Sequence, residues 1–197
     1  LEHEINNGAK VSVHPENPEL PDPLSRSEII WVGTGEVNAG GGSLAYDGNG
    51  IYKSEDAGLT WTAKGLPAAG SVGKVLIDPN DDEVIFVGAM GPLFRKDNNR
   101  GVYRSTDGGE NWEHVFFLND STGVIDIEVH PLDPNIVYAA TWTRIRNNRE
   151  SIIESDQTGI FKTIDGGISW IRLTNGLPTG QLVRPGLAMY EGNEEGK

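Results

Sequence analysis

One pattern of apolar and polar positions runs through this 197-residue chain three times. Each copy opens on a short alternating run: KVSVHPENPE from Lys10, KVLIDPNDDE from Lys74 and DIEVHPLDPN from Asp126. Alternation with a period of two, ending in a Pro/Asn/Asp cluster, marks a half-buried strand that enters a tight turn. A nearly continuous apolar run follows, rich in β-branched and aromatic residues: IIWVGTGE from Ile29, VIFVGAMG from Val84 and IVYAATWT from Ile136. Such a run predicts a strand covered on both faces. After a variable loop comes a third strand, GIYKS from Gly50, GVYRS from Gly101 and GIFKT from Gly159. A fourth then reads TWTAKGL, NWEHVFFL and SWIRLTNGL. A degenerate copy of the opening strand, LAMYEGNEEG, starts at Leu187. No stretch carries helical periodicity with caps.

The third and fourth strands are joined each time by a box: SEDAGLTW (Ser54 to Trp61), STDGGENW (Ser105 to Trp112) and TIDGGISW (Thr163 to Trp170). Its Asp stands at Asp56, Asp107 and Asp165, so the copies lie 51 and then 58 residues apart. Ser54, Ser105 and Thr163, with the three Asp, offer side-chain oxygens to the backbone of the turn. Gly58, Gly109 and Gly167 permit positive φ. Trp61, Trp112 and Trp170 are expected to pack over the blade edge, at ~2–3 kcal/mol each by area. Four antiparallel strands at this period predict an all-β β-propeller, with blades over 10–69, 70–122 and 123–180 and the first strand of a further blade in 181–197. An arc of three blades leaves an apolar sheet face open. The chain therefore reads as a segment of a larger propeller, completed by further blades or by a self-associating copy.

Composition narrows the partners. A net charge of −13 and a pI near 4.6 repel phosphate backbones and anionic lipid, which argues against nucleic acid. No apolar stretch is long enough to insert in a membrane. With no cysteine, disulfides and thiolate metal sites are excluded. Five tryptophans and 37% hydrophobic residues argue against disorder.

The boxes, with Asn111 standing where Ser or Thr usually precedes the Trp, resemble the Asp-box (BNR) repeat. That repeat is found in sialidases, xyloglucanase-type glycoside hydrolases, sortilin-like receptors and photosystem II assembly factors. Together with the HPENP and HPLDP turns and VGTGE, the chain is most similar to sortilin/Vps10-like and xyloglucanase-like repeat proteins. The resemblance implies a secreted, periplasmic or cell-surface module that recognises a protein or glycan ligand. The alternative it implies is part of a xyloglucanase-like glycoside hydrolase, acting through paired carboxylates.

Strand order puts the A–B and C–D turns on one face and the D–A and B–C loops on the other. The boxes are then structural, and chemistry is expected on the B–C loops over 33–50, 88–101 and 141–159, which exceed the usual connection length. Carboxylate candidates are Glu36, Asp47 and Asp97, with Asp126 near the central channel. Ligand-binding candidates are Arg95 and Arg100 in the second loop and Trp142, Arg144, Arg146 and Arg149 in the third. That third cluster suits a carboxylate or an acidic sugar through bidentate contacts, or else pairs with Glu150 and Glu154. The arginine motif of sialidases is missing. His14 and His130 read as turn caps, and no metal site or cofactor is expected beyond a structural calcium at Asp78–Glu83 or Tyr46–Gly50. Asn119-Asp120-Ser121 fits a glycosylation acceptor.

Overall fold

The computed structural model describes residues 10–13, 29–37, 46–178 and 182–190. Three four-stranded antiparallel sheets account for its main strands, each laid out in chain order from first to fourth strand. The first holds β1 (Lys10–Val13), β2 (Ile30–Gly33), β3 (Ile51–Ser54) and β4 (Thr62–Ala63). The second holds β5 (Ser71–Ile77), β6 (Ile85–Gly91), β7 (Gly101–Ser105) and β8 (Glu113–Phe116). The third begins with β9 (Thr122–His130) and β10 (Asp133–Thr143); a separate hairpin of β11 (Ile145–Arg146) and β12 (Ser151–Ile152) intervenes before β13 (Gly159–Thr163) and β14 (Ile171–Leu173). The helical content described is one 3-10 turn, Pro67–Ala69. The molecule is a three-bladed segment of a β-propeller.

The blades stack through opposite faces of their strands, because successive side chains of a strand alternate in direction. Trp31 and Ile51 of the first blade meet Val75, Ile77, Ile85, Val87 and Tyr103 of the second. Phe86, Val102 and Phe116 on the second blade's other face meet Ile127, Val129, Val137, Ala139 and Phe161 of the third. Full burial of each such side chain is worth about 1.5–3 kcal/mol, so these two layers hold the blades together. The first strands pack on one another at the inner edge, β1 on β5 and β5 on β9. Gly73 makes that approach possible: a Cβ there would lie 2.6 Å from the Val124 carbonyl oxygen.

The three Asp turns have one hydrogen-bond plan. In the first, the Ser54 hydroxyl donates to Asp56 Oδ1 (2.8 Å) and accepts from the Gly58 N–H (2.8 Å), while Thr60 donates its N–H and hydroxyl to the two Asp56 oxygens (2.8 and 2.6 Å). Asn111 satisfies the same plan by giving its backbone N–H and side-chain amide to Asp107 (2.9 and 2.7 Å), which explains why an amide can replace the hydroxyl. The tryptophans do not all act alike. Trp61 and Trp170 close their own turns on Gly58 and Gly167 (3.1 Å each), whereas Trp112 donates to the Lys64 carbonyl of the preceding blade (2.8 Å). Trp61 is 42% exposed, so the full packing energy expected of it is not realised.

Hydrogen bonds from Asn111 hold Asp107 at about 2, and those from Ser169 hold Asp165 at about 2; Thr60 lowers Asp56 in the same way. A depressed folded value means that the stabilisation is present above the ordinary carboxylate range and is lost as pH falls toward the folded value. The urea midpoint is therefore expected to hold above pH ~5 and to fall between pH ~4 and ~2. A midpoint flat across that window would remove the Asp turns from the account of acid stability.

The run expected from Leu187 to open a further blade lies mostly outside the described residues; within 182–190 the described bridge is Leu182 with Ser155. The third B–C loop folds into the β11–β12 hairpin, with Arg146 opposite Ser151.

Candidate functional site

Backbone contacts fix which turns share a face. Gly108 N–H donates to the Glu83 carbonyl and Gly166 N–H to that of Asn135 (3.0 Å each), so in the second and third blades the A–B turn lies beside the Asp turn of its own blade. On the opposite side Gly48 N–H donates to the Gly70 carbonyl (3.1 Å) and Val72 N–H to that of Thr34 (2.9 Å), joining B–C loop to D–A connection. The loop face is thus separate from the Asp turns.

On the loop face a polar chain crosses from the first blade to the second. Arg95 Nη1 donates to Asp47 Oδ2 at 2.6 Å, and its Nε lies 3.6 Å from Asp97 Oδ2. Asp97 Oδ1 accepts the backbone N–H and side-chain amide of Asn99 (2.8 and 2.7 Å), and the Asp97 N–H reaches the Asp120 carbonyl (2.8 Å). Asp47 is positioned because Thr34 pins the end of its loop, donating to the Gly50 carbonyl and accepting from Asn49 (2.7 Å each). The Glu36 N–H donates to the Tyr46 carbonyl (3.2 Å), so Glu36 and Tyr46 face each other across this loop. Next in sequence to Asp47 and Arg95 stand two exposed aromatics, Tyr46 (71%) and Phe94 (42%). Two carboxylates bracketing one guanidinium, with exposed rings beside them, can hydrogen-bond hydroxyl groups and stack on an apolar ring face.

Other candidates are placed differently. Arg100 is fully buried and cannot meet a ligand: its guanidinium donates to the carbonyls of Met90, Pro92 and Arg95, and burial pushes it down to about 10. Trp142 is also buried, with its indole N–H on the Ile153 carbonyl (2.8 Å), so it is core and not a platform. Arg144 stacks on that indole, its guanidinium carbon 5.7 Å from the ring centroid; burial, then the nearby Arg146, lowers its proton affinity. The Arg146 backbone N–H donates to the Leu93 carbonyl (2.9 Å), tying the hairpin to the second loop. Arg149 is exposed at the hairpin turn, where its N–H caps on Asn147 Oδ1 (2.9 Å).

Asp126 is occupied. Its Oδ1 accepts from Ile127 N–H (3.0 Å) and lies 3.4 Å from Lys74 Nζ, and its Oδ2 accepts from Leu187 N–H (2.9 Å). With those partners, Asp126 ties β5, β9 and the stretch at Leu187 together at the inner edge. Sequence reasoning does not single out Lys74 or Asp120. The signal for Lys74 is that it holds the repeat position where the next copy has Asp126, opposite charges on adjacent inner strands. His130 Nδ1 accepts the Leu132 N–H (3.2 Å) as a turn cap, whereas His14 lies outside the described residues. In the Asp78–Glu83 turn, Asp78 and Asp81 spend an oxygen each on the N–H of Asn80 and Glu83 (2.8 and 3.1 Å). Asn119 Oδ1 likewise accepts from Ser121 and Thr122 (2.9 Å each).

The chain matches no family model. It is 34% identical over 115 residues to a probable oligoxyloglucan-reducing end-specific xyloglucanase of Neosartorya fischeri, which covers 56% of this chain and 11% of that protein. Over 86 residues it is 31% identical to the xyloglucanase Xgh74A of Acetivibrio thermocellus, covering 34% of this chain and 10% of that one. The chain thus spans about a tenth of the length of the curated relatives it matches. Among solved structures, an ancestral GH74 enzyme superposes with a TM-score of 0.54 at 23% identity, over 86% of this chain and 19% of that one. That likeness is one of fold.

Proposed function

We propose that this chain is part of a glycan-acting β-propeller whose B–C loop face binds a neutral polysaccharide of the xyloglucan type, with glycoside hydrolysis as the activity of the whole protein. The observation that carries this reading is the Asp47–Arg95–Asp97 chain between two loops, flanked by exposed Tyr46 and Phe94. Xyloglucanases as the curated relatives favour a glycan over a protein ligand. The sortilin-like reading rests on the sequence resemblance alone.

Hydrolysis of a glycosidic bond needs one carboxyl group to protonate the leaving oxygen and a second to activate water or attack the anomeric carbon. In this reading Asp97, oriented by two donors from Asn99, is the second group. Asp47, whose partner in the free protein is Arg95, is the proton donor: a sugar displaces the guanidinium, the carboxylate takes up a proton from water, and that proton passes to the leaving oxygen. Glu36 serves the same loop as a hydrogen-bond acceptor for sugar hydroxyls. A polysaccharide too large to enter a cell places the protein outside the cytoplasm, secreted or at a surface.

Titration calorimetry with xyloglucan oligosaccharides tests the binding. Phe94→Ala and Tyr46→Ala are each expected to weaken it by more than ~5-fold, as loss of a contact worth over ~1 kcal/mol does. In the full-length protein, Asp97→Asn is expected to lower kcat ~100-fold or more. Undiminished hydrolysis in both Asp97→Asn and Asp47→Asn would take the catalytic pair off this loop face.

A further inference from the structure

Lys53, Lys64, Lys74 and Arg95 each reach the carboxylate of another residue. Arg144 is half-buried and reaches none among the described residues. Its Nη1 has no exposed surface and no hydrogen-bond partner there. The neighbouring charge that acts on it is of its own sign, Arg146 two positions on, and after burial this is the second cause of its lowered proton affinity. Burial and a like charge both disfavour a charged group, so the free protein carries a cost at this spot. With 29 acidic residues against 16 basic ones, the missing counter-ion is not for want of acids in the chain.

The group is also held in place. The Arg144 backbone N–H donates to the Ser121 carbonyl (3.2 Å), and the Arg146 N–H donates to the Leu93 carbonyl (2.9 Å). The guanidinium lies over the Trp142 indole, its carbon 5.7 Å from the ring centroid, and that indole is fixed by its N–H on the Ile153 carbonyl (2.8 Å). Trp142 packs in turn with Met90 of blade two, Ile125 of its own blade and Val37 of the first loop. Blades two and three, which flank this spot, are both in place, so no missing neighbour leaves the charge open.

We propose that Arg144, with Arg146 beside it, binds a carboxylate, and that this carboxylate belongs to an acidic sugar unit of a glycan lying on the loop face. A guanidinium offers a carboxylate two parallel N–H donors, and the pairing removes the like-charge cost that the free site carries. Leu93, which anchors the hairpin, precedes the exposed Phe94, so the hairpin adjoins the ring next to Arg95. The carboxylate rests on Arg144 itself; that a sugar carries it rests on the glycan reading of this face given above. The two claims therefore fail separately. The inference adds to neutral glycan binding a second subsite that selects for charge.

Titration calorimetry of the full-length protein with trigalacturonate is expected to show saturable binding that weakens as salt is added. Its methyl ester, with the same rings and no charge, is expected to bind ~10-fold more weakly or worse. Tricarballylate, which has three carboxylates and no sugar, is expected to lose ~10-fold or more as well, for want of rings to stack. Arg144→Gln should weaken trigalacturonate binding roughly tenfold or more with its circular dichroism unchanged, and Arg144→Lys, which keeps the charge without the fork, should fall between. Equal affinity for the ester, or undiminished affinity in Arg144→Gln, overturns the site. Where glutamine disturbs folding, the lysine variant decides, and affinity equal to the parent overturns the site. Tricarballylate bound as tightly as trigalacturonate overturns the sugar as the carrier. No saturable trigalacturonate binding overturns the whole inference, while xyloglucan oligosaccharides that bind in the same preparation would leave the function proposed above standing.

Discussion

Replacing Arg100 with methionine is expected to cost about 3–5 kcal/mol of stability, because its two terminal nitrogens are the buried donors that three backbone carbonyls share. Methionine restores the aliphatic volume but brings no donor. The carbonyls of Met90, Pro92 and Arg95 then lose their shared partner inside the fold, at about 1–3 kcal/mol for each that stays unsatisfied. Relief of the buried charge, already resisted by its desolvation, offsets part of this. Arg100→Lys is expected to rescue little, because one ammonium cannot span three carbonyls as the planar fork does. Urea unfolding of the two variants decides it; a loss under ~1 kcal/mol for methionine would mean that water takes over the carbonyls.

The second large effect is at the blade junction. Gly109 has φ +81°, and a Cβ there would fall 2.6 Å from Trp31 Cη2, which is itself sealed in the core. Gly109→Ala combines backbone strain of about 1–3 kcal/mol with overpacking of about 1–3 kcal/mol, so about 3 kcal/mol or more is expected. Gly176→Ala is the control: its φ is +79° but nothing lies within 4 Å of the added carbon. That variant keeps only the strain. Equal losses at the two glycines would show that the Trp31 ring gives way and that the junction is softer than its packing indicates.

The blade pattern was legible because it is written in local chemistry. The alternation in KVLI and the apolar run of VIFVGAMG became β5 and β6, and each Asp turn is closed by bonds that span four residues or fewer. The fourth strands begin one residue after each Trp, at Thr62, Glu113 and Ile171, since the indole belongs to the turn. What the sequence could not show was which long-range partner a polar side chain finds. Arg95 and Arg100 stand five positions apart in one loop; one is 58% exposed at its side chain on the loop face and the other has no exposed surface at all. Nothing in their neighbours separates them. Trp142 is similar: its burial depends on Met90 and Ile125, which reach it from another blade and another strand. The β11–β12 hairpin had a readable signal, an Asn-Asn pair between IR and SI, that the surrounding charges obscured.

Blade two is the one blade of this segment whose sheet is covered on both sides, and β6 within it is buried at every position. In a molecule built by stacking, each unit draws its free energy from its own strands and from its immediate neighbours. Among the described residues, blades one and three each have one packed neighbour where blade two has two, so blade two holds the larger share of the interface free energy. The segment therefore has a kernel. Loosening of either outer blade strips blade two of one packed layer and leaves the other, so β5 to β8 are the strands best protected against local opening.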